Sequence, residues 1–239
     1  MMRIIIIGAG GRMGSAIAQG IQETKDMEVI YGVEKEGHFA VGSPFGKNFI
    51  VDKLEKVIRE GDVVVDFSER EAVLSNREIL IQGGKPYLCG VTGFREEELK
   101  DLKEMGRYLP FLYSPNFSFG ANLLIRSVGE IARFLPEDYE IKIIETHHKM
   151  KKDAPSGTAK RLVTEVEEKR GEKVEVFSLR AGEIVGEHRV IFFGPGEVLE
   201  ITHSALSRKA FVRGVIEGIR FIINQARGFY TFDDIIKKV

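Results

Sequence analysis

Short continuous apolar runs, each ending in glycine or a polar residue, alternate with helix-spaced segments through the first half of the chain. The runs are rich in isoleucine and valine, which is typical of strands buried on both faces. Strands are predicted over residues 4–7, 27–33, 62–68, 85–92 and 110–114. The segments between them predict helices that start at residue 15 and that cover 69–82 and 95–107. Such strand–helix alternation predicts an α/β domain built on a doubly wound parallel sheet.

The pattern changes after residue 117. A predicted helix over 121–134 leads to a strand over 139–147 and then to a helix that ends near residue 170. Alternating apolar and polar residues next indicate three strands joined by glycine-rich turns, over 174–179, 188–193 and 197–203. This half of the chain therefore predicts a second, α+β domain with an open mixed sheet.

The end of the chain returns to helical spacing over 211–226, with a last short turn predicted over 233–238. We expect this helix to rejoin the first domain. That domain is then discontinuous, over 1–117 and 212–239, and the second domain covers 118–211.

Composition excludes several classes of protein. The formal net charge of −1 over 239 residues argues against a general nucleic-acid binder, which is usually basic. Cys89 is the single cysteine, so no internal disulfide can form, as is usual in a reducing compartment. No apolar run has the length of a signal sequence or a membrane span. We expect a cytoplasmic protein that does not interact with membranes.

A glycine turn follows the first predicted strand and precedes the first predicted helix. Its sequence is Gly-Ala-Gly-Gly-Arg-Met-Gly over residues 8–14. Strand, glycine turn and helix in this order are the context of a Rossmann-type dinucleotide site. The strict G-x-G-x-x-G pattern fails because Met13 replaces the last glycine. We predict that this turn binds a dinucleotide through Gly8, Ala9, Gly10, Gly11, Arg12 and Met13.

The end of the second predicted strand supports this interpretation. Glu34 lies twenty residues after Gly14, where a carboxylate can accept both adenosine ribose hydroxyls of NADH. Lys35 follows it and can pair with the 2′-phosphate of NADPH. The alternative is that both are solvated charges at a strand end.

Two further loops end predicted parallel strands, and the carboxyl ends of such strands form the usual ligand edge. Glycine at position 90 permits close backbone approach to a ligand, and Thr92 and Asn116 offer polar contacts. Ser68 is predicted to cap the helix over 69–82. The cofactor contacts predicted from these two loops are Gly90, Val91, Thr92, Ser114, Pro115, Asn116 and Phe117.

The residues over 145–159 form the segment with the most chemistry. A strand ends at His147, a loop with three lysines follows, and Ser156 is a favoured N-cap for the next helix. The first N–H groups of that helix, at Gly157 and Thr158, can bind an anion. A histidine beside such a site can transfer a proton near neutral pH.

Other interpretations apply to parts of this segment. Adjacent histidines diverge on a strand and lysines surround them, so we predict no metal site. Lys149, Lys152 and Lys160 are interpreted as loop charges in contact with solvent. His188 and His203 are interpreted as packed or surface histidines, with a role in substrate binding left open.

The segment Glu-Thr-His-His-Lys-Met-Lys-Lys-Asp-Ala-Pro-Ser-Gly-Thr-Ala over 145–159 resembles the signature of the dihydrodipicolinate reductase family. The glycine turn, Asp-Phe-Ser over 66–68, Gly-Val-Thr over 90–92 and Asn-Phe-Ser over 116–118 are also similar to that family. The resemblance covers essentially the whole chain.

The resemblance implies reduction of 4-hydroxy-tetrahydrodipicolinate, a cyclic imine dicarboxylate, with NADH or NADPH in diaminopimelate and lysine synthesis. It implies that His147 acts as proton donor or acceptor and Lys151 as donor. It also implies that His148, Gly157 and Thr158 hold a substrate carboxylate, and that the protein is a homotetramer. The alternatives are a non-catalytic NAD(H)-sensing regulator and another NAD(P)-dependent dehydrogenase of a small dicarboxylate.

Overall fold

The structure is a computed structural model that describes residues 1–237. The chain forms two compact units. The first contains Met1–Phe117 together with the chain from Phe211 onward, and the second contains Ser118–Ala210. Residue 238, which ends the predicted short turn, and residue 239, which ends the predicted first domain, lie outside the described residues.

Strands and helices alternate in the first part of the chain. In order they are β1 (Met2–Ile7), α1 (Arg12–Gln22), β2 (Met27–Val33), β3 (Pro44–Phe45), β4 (Asn48–Val51), β5 (Val63–Asp66), α2 (Arg70–Gly83), β6 (Tyr87–Cys89), α3 (Glu96–Lys103) and β7 (Pro110–Tyr113). Short 3-10 turns cover Leu54–Lys56 and Glu104–Arg107.

The second unit and the returning segment follow. The second unit has α4 (Phe119–Phe134), β8 (Glu140–His147), α5 (Gly157–Arg170), β9 (Glu175–Arg180), β10 (Gly186–Gly194) and β11 (Glu197–Ala205). The chain then continues through α6 (Lys209–Ile222), β12 (Gly228–Tyr230) and α7 (Phe232–Ile236).

Over residues 1–237, the strands of the first unit make one sheet in the order β12-β7-β6-β5-β1-β2-β4-β3. Every pair is parallel except β3 with β4. Ile4–Ile6 of β1 and Val63–Val65 of β5 are fully buried at its centre. Burial on both faces is characteristic of parallel sheets covered by helices, so the predicted doubly wound sheet is confirmed.

The segment that returns to the first unit packs closely on Met1–Phe117. A Cβ on Gly214 of α6 would lie 1.7 Å from the carbonyl oxygen of Phe117, and one on Gly218 would lie 2.7 Å from Leu88. The strand β12 then pairs in parallel with β7 at the sheet edge. The lack of a side chain at these two glycines thus allows a helix that follows residue 208 to contact the part of the first unit that precedes residue 118.

The second unit has a mixed sheet, as predicted, and its strand order is β11-β10-β8-β9. β8 pairs in parallel with β9, and the other pairs are antiparallel. One face of this sheet packs on α4 and α5, with a core that contains Val128, Leu162, Ile143 and Phe192. Residues two apart on β8 share a face, so Glu145 and His147 are on the same side as Ile143.

Some local predictions differ from the structure, and the cap predicted at Ser68 is wrong. Ser68 does not cap α2, because its hydroxyl donates a hydrogen bond to the carboxylate of Asp66 and Glu69 occupies the N-cap position. The helix predicted over 95–107 becomes a 3-10 turn after Lys103. The helix predicted over 211–226 is present as α6 but ends at Ile222, and the last short turn predicted over 233–238 is present as α7. The strands β3, β4 and β12 have two to four residues each, too few for a recognisable alternation.

None of the helices over residues 1–237 combines the length and the apolar character needed to cross a lipid bilayer.

Candidate active site

The glycine turn of the first unit is fixed by space as well as by backbone conformation. Gly8 follows β1 with a φ of +79°, and a Cβ there would lie 2.8 Å from the backbone of Phe67. A Cβ on Gly14 would lie 2.2 Å from the carbonyl oxygen of Gly8. Gly11 is the N-cap of α1, and no side chain of the described chain caps this helix. The first N–H groups of α1 can therefore bind an anion.

Glu34 follows β2 and lies against this turn. Its Oε1 accepts a hydrogen bond of 2.8 Å from the backbone N–H of Gly10. The backbone N–H of Glu34 donates to the carbonyl oxygen of Val51, which fixes the strand end. One carboxylate oxygen is thus held by the turn, and the group remains able to accept further hydrogen bonds. Lys35 is exposed beside it.

A cavity of about 780 Å³ lies within the first unit at this edge of the sheet. Its volume is in the range of small-molecule sites. Gly8, Gly11, Glu34 and Lys35 line it, so the structure brings these predicted residues together. The glycine space, the helix start and the carboxylate fit the pyrophosphate and ribose of a dinucleotide.

Sequence analysis missed other parts of the cavity wall. They are His38, the segment after β4 with Asp52, Lys53 and Leu54, and one face of α2 with Ala72, Ser75, Asn76 and Ile79. The α2 residues repeat at helical spacing, which is a signal that could have been used. His38 and the segment after β4 lie in loops where no pattern marks them.

The other predicted cofactor residues do not line this cavity. Ala9 is buried with Ala40 and Ile50, while Arg12 and Met13 form the first turn of α1. The loops with Gly90–Thr92 and Ser114–Phe117 follow β6 and β7 at the same sheet edge. Their roles in cofactor binding remain predictions.

These two loops also have clear packing roles. A Cβ on Gly90 would lie 2.3 Å from the ring of Phe67, and that ring packs on Phe117 with centroids 5.6 Å apart. Ser114 is buried and its hydroxyl donates to the carbonyl oxygen of Asn116 at 2.6 Å.

In the second unit, His147 ends β8 and is only 7% exposed. Its Nδ1 is hydrogen-bonded to Oε2 of Glu145, two residues earlier on the same face of the strand. Its Nε2 points to Gly186, where a Cβ would lie 3.0 Å away. A carboxylate on one ring nitrogen fixes the imidazole and leaves the other nitrogen for chemistry.

Arg180 completes this arrangement. It lies opposite His147 in the β8–β9 register, and its Nη2 donates to Oε1 of Glu145 at 2.7 Å. Burial alone would raise the pKa of Glu145, but the hydrogen bonds from Arg180 and Ser178 lower it to about 2. Burial lowers the pKa of His147, and the nearby Glu145 charge offsets part of that effect.

The loop after β8 places Lys151 near these groups. Its Nζ lies 2.8 Å from Oδ1 of Asp153, and its side chain is 22% exposed. The same Nη2 of Arg180 donates to the backbone oxygen of Asp153 at 2.6 Å. The lysine is thus held as part of a loop tied to β9. His148 is half-buried next to His147.

The start of α5 is the second element of this site. Ser156 is the N-cap, and its Oγ accepts a hydrogen bond of 3.2 Å from the N–H of Ala159, as predicted. Gly157 and Thr158 form the first turn of this helix. Nε2 of His188 lies 3.1 Å from Oγ of Ser156. Burial lowers the pKa of His188 to about 3, so this imidazole is neutral at neutral pH.

Glu145, His147 and His188 place one possible metal-ligand atom each within 4.8 Å of one another. However, both oxygens of Glu145 are already bonded, to His147 and to Arg180. The cations of Arg180 and Lys151 also disfavour a metal ion here. The absence of a metal remains a prediction. Glu145 bonds both His147 and Arg180, and the ring of His188 packs on His147. The sequence did not indicate Arg180, because it comes from another strand.

The whole chain is similar to proteins of one family. The family described as dihydrodipicolinate reductase, N-terminus, matches residues 2–117, and dihydrodipicolinate reductase, C-terminus, matches residues 120–236. A 4-hydroxy-tetrahydrodipicolinate reductase of Caldanaerobacter subterraneus subsp. tengcongensis is 38% identical, covering 100% of this chain and 99% of that protein. One of Methanocaldococcus jannaschii is 36% identical, covering 98% of this chain and 97% of that protein.

Solved structures support the fold. The dipicolinate-bound dihydrodipicolinate reductase of Paenisporosarcina sp. TG-14 matches with a TM-score of 0.80 and 24% identity, covering 97% of each chain. A myo-inositol dehydrogenase of Corynebacterium glutamicum matches with a TM-score of 0.63 and 17% identity, covering 99% of this chain and 93% of that one.

Proposed function

Because the chain belongs to the dihydrodipicolinate reductase family, we infer that it reduces 4-hydroxy-tetrahydrodipicolinate with a nicotinamide cofactor, in diaminopimelate and lysine synthesis. Within that activity we propose that the first unit binds the dinucleotide and the second binds the substrate. The observation that carries the residue roles is the imidazole of His147, fixed by Glu145 in the same unit as an anion-binding helix start.

The first unit would hold the cofactor through backbone and carboxylate groups. The N–H groups after Gly11 would bind the pyrophosphate, and Glu34 would accept the adenosine ribose hydroxyls. When bound, the reduced nicotinamide supplies the hydride. We propose that both NADH and NADPH serve, because Lys35 is exposed next to Glu34 and can pair with a 2′-phosphate.

The second unit would hold the dicarboxylate substrate. One carboxylate would lie on the N–H groups of Gly157 and Thr158, since a helix start favours negative charge. His148 would add a further contact from the loop after β8. The charge of Lys151 raises the local affinity for an anion.

Loss of water from 4-hydroxy-tetrahydrodipicolinate gives the unsaturated ring that is reduced. After hydride addition, this ring also requires one proton to give tetrahydrodipicolinate. We propose that Nε2 of His147 supplies it, because Glu145 holds Nδ1 and fixes the orientation of the ring. The lowered pKa of His147 makes its protonated form a stronger acid. Lys151 would stabilise the negative charge that develops on the substrate and act as a second donor.

The outer face of the mixed sheet supports the homotetramer that the resemblance implies. It carries exposed apolar side chains on β9, β10 and β11, namely Phe177, Leu179, Phe193 and Val198, at 39–59% exposure. They lie on the same face as Ile144, opposite the helices. We propose that a second copy of this chain covers this face. Sedimentation equilibrium tests the tetramer, and a monomer at micromolar concentration would contradict it.

The cytoplasmic location also remains our proposal. It is supported by Cys89, a single and buried thiol, which suits a reducing compartment.

The residue roles are tested with a matched pair of lysines. Lys151→Met is expected to lower kcat/KM by about 10²–10³-fold, because it removes a charge that acts on the reacting substrate. Lys152→Met is the control, since Lys152 is exposed in the same loop. Turnover is followed as loss of NADH absorbance with freshly generated substrate. Equal effects of the two substitutions would reject the role of Lys151. Binding of NADH without any turnover would favour a sensing regulator.

A further inference from the structure

Two histidines of the second unit lie directly opposite each other on neighbouring strands. His188 of β10 pairs with His203 of β11 in the antiparallel register, so both side chains are on the same face of the sheet. Nε2 of His188 lies 3.1 Å from Oγ of Ser156, and Nε2 of His203 lies 3.1 Å from Oγ of Ser118. Each imidazole therefore holds a serine hydroxyl.

Those serines have the same task in two helices. Ser156 is the N-cap of α5 and bonds the N–H of Ala159, while Ser118 is the N-cap of α4 and bonds the N–H of Ala121 at 3.3 Å. An N-cap contact stabilises its helix, because it satisfies an N–H group that has no acceptor in the first turn. The paired histidines thus anchor the starts of both helices to the sheet.

The surroundings of the two histidines differ. His188 is 2% exposed, and its ring meets the ring of His147 edge to face, with centroids 5.2 Å apart and planes at 74°. His203 is half-buried and lies against Gly120, where a Cβ would be 2.6 Å from its Cδ2. Only His188 contacts both a helix start that we propose to bind substrate and the imidazole that we propose to transfer the proton.

Resting on the proposed roles of α5 and His147, we propose that His188 is a positioning residue for both groups. Its hydrogen bond to Ser156 fixes the N–H groups of Gly157 and Thr158 toward the substrate carboxylate. Its ring packs against His147 and limits rotation of that imidazole about its bond to Glu145. His203 provides only the structural half of this arrangement, for α4.

The two contacts of His188 can be removed separately. His188→Phe keeps a ring against His147 but cannot bond Ser156. It is expected to raise the KM for substrate, and the Kd for dipicolinate as a non-reacting probe, about 10-fold with kcat within about 2-fold. His188→Gln keeps an amide near the position of Nε2 but loses the ring. It is expected to keep KM and Kd within about 2-fold and to lower kcat about 10-fold.

His203→Phe is the matched control, because it removes the equivalent bond to Ser118. It is expected to lower the melting temperature about as much as His188→Phe and to leave KM, kcat and dipicolinate affinity unchanged. Circular dichroism checks that all variants fold. If His188→Phe does not fold, Ser156→Ala removes the same bond from its other partner. It is expected to raise the KM for substrate and the Kd for dipicolinate, and unchanged values would overturn the proposal.

Gly157→Pro separates this inference from the function on which it rests, because it removes one N–H group of the proposed anion site at a first-turn position that tolerates proline. If Gly157→Pro weakens dipicolinate binding but His188→Phe does no more than His203→Phe, the positioning role is wrong and the anion site stands. If Gly157→Pro also leaves dipicolinate binding unchanged, the proposed anion site is wrong as well. Equal changes of KM and kcat in the Phe and Gln variants would also overturn the proposal, because a purely structural histidine would not separate them.

Discussion

The two units of this chain build their sites from different materials. The first uses backbone groups and empty space, because Gly8, Gly11 and Gly14 leave room that any Cβ would fill. The second uses largely buried side chains of β8, β9 and β10 that contact one another around His147. Glu145 bonds both His147 and Arg180, and the ring of His188 packs on that of His147. A backbone cradle depends on a few consecutive residues. A side-chain network depends on strand register, so one distant substitution can change it.

The difference suits what each site must do. A dinucleotide offers a pyrophosphate and two riboses, which backbone N–H groups and one carboxylate can bind without any change in protonation. Proton transfer instead needs an imidazole whose orientation and pKa are controlled, and buried charged partners supply that control. The predictions below test whether binding and proton transfer are divided in this way.

The largest expected effect is on proton transfer. His147→Gln is expected to lower kcat by about 10²–10⁴-fold, because general acid catalysis by one positioned group typically supplies that factor. The Kd for NADH, measured by fluorescence titration, should change less than 2-fold. A parallel loss of NADH affinity would break the division between the two units and place His147 in the nucleotide site.

Glycine space in the first unit is tested by Gly8→Ala. The substitution strains a residue at φ +79° and places Cβ 2.8 Å from the backbone of Phe67, so we expect weaker NADH binding of 10-fold or more and a lower melting temperature. Gly42→Ala is the control, since Gly42 has φ +85° and nothing within 4 Å of its Cβ position. It should cost only the strain of about 1–2 kcal/mol and leave NADH binding intact. Equal losses of affinity would mean that conformation, not space, matters at Gly8.

Glu34 is expected to set part of the cofactor preference. Glu34→Ala removes the carboxylate that bonds Gly10 and, as proposed, the ribose hydroxyls. We expect NADH to bind about 10-fold more weakly and NADPH to be affected less. Lys35→Ala is the matched variant and should weaken NADPH more than NADH. Kd values for both cofactors decide, and the reverse ranking for Glu34→Ala would contradict the ribose contact.

The smallest effect is a shift in pH dependence. If protonated His147 donates the proton, kcat falls as pH rises through the pKa of His147. The charge of Glu145 raises that pKa against the effect of burial, so Glu145→Gln lowers it further and moves the fall in kcat to lower pH.

The measurement is kcat against pH at saturating NADH, with Glu140→Gln as control on the same strand. Glu140 is exposed and paired with Lys142. A fall in kcat at the same pH in both variants would show that Glu145 does not tune the proton donor.

The sequence predicted the candidate site of the first unit better than that of the second unit. Gly8, Glu34 and the runs of isoleucine and valine are close in sequence to the features that they form, so spacing was sufficient. The side chains around His147 in the second unit could not be predicted from spacing. Arg180 lies 33 positions after His147, and His188 lies 41 positions after it. Only the pairing of β8 with β9 and β10 brings them together. The face of α2 that lines the cavity was missed for a simpler reason, because its alanine and serine residues do not stand out by composition.

The break in the first unit has a consequence for synthesis of the protein. Strand β12 completes the parallel sheet and helix α6 precedes it, yet the ribosome makes β12 after the whole second unit. A nascent chain can therefore fold the second unit while strand β7 still lacks its neighbour β12. Until translation ends, that uncovered edge is open to pairing with other chains. Truncated or slowly translated forms of the protein would therefore depend most on chaperones that cover this edge.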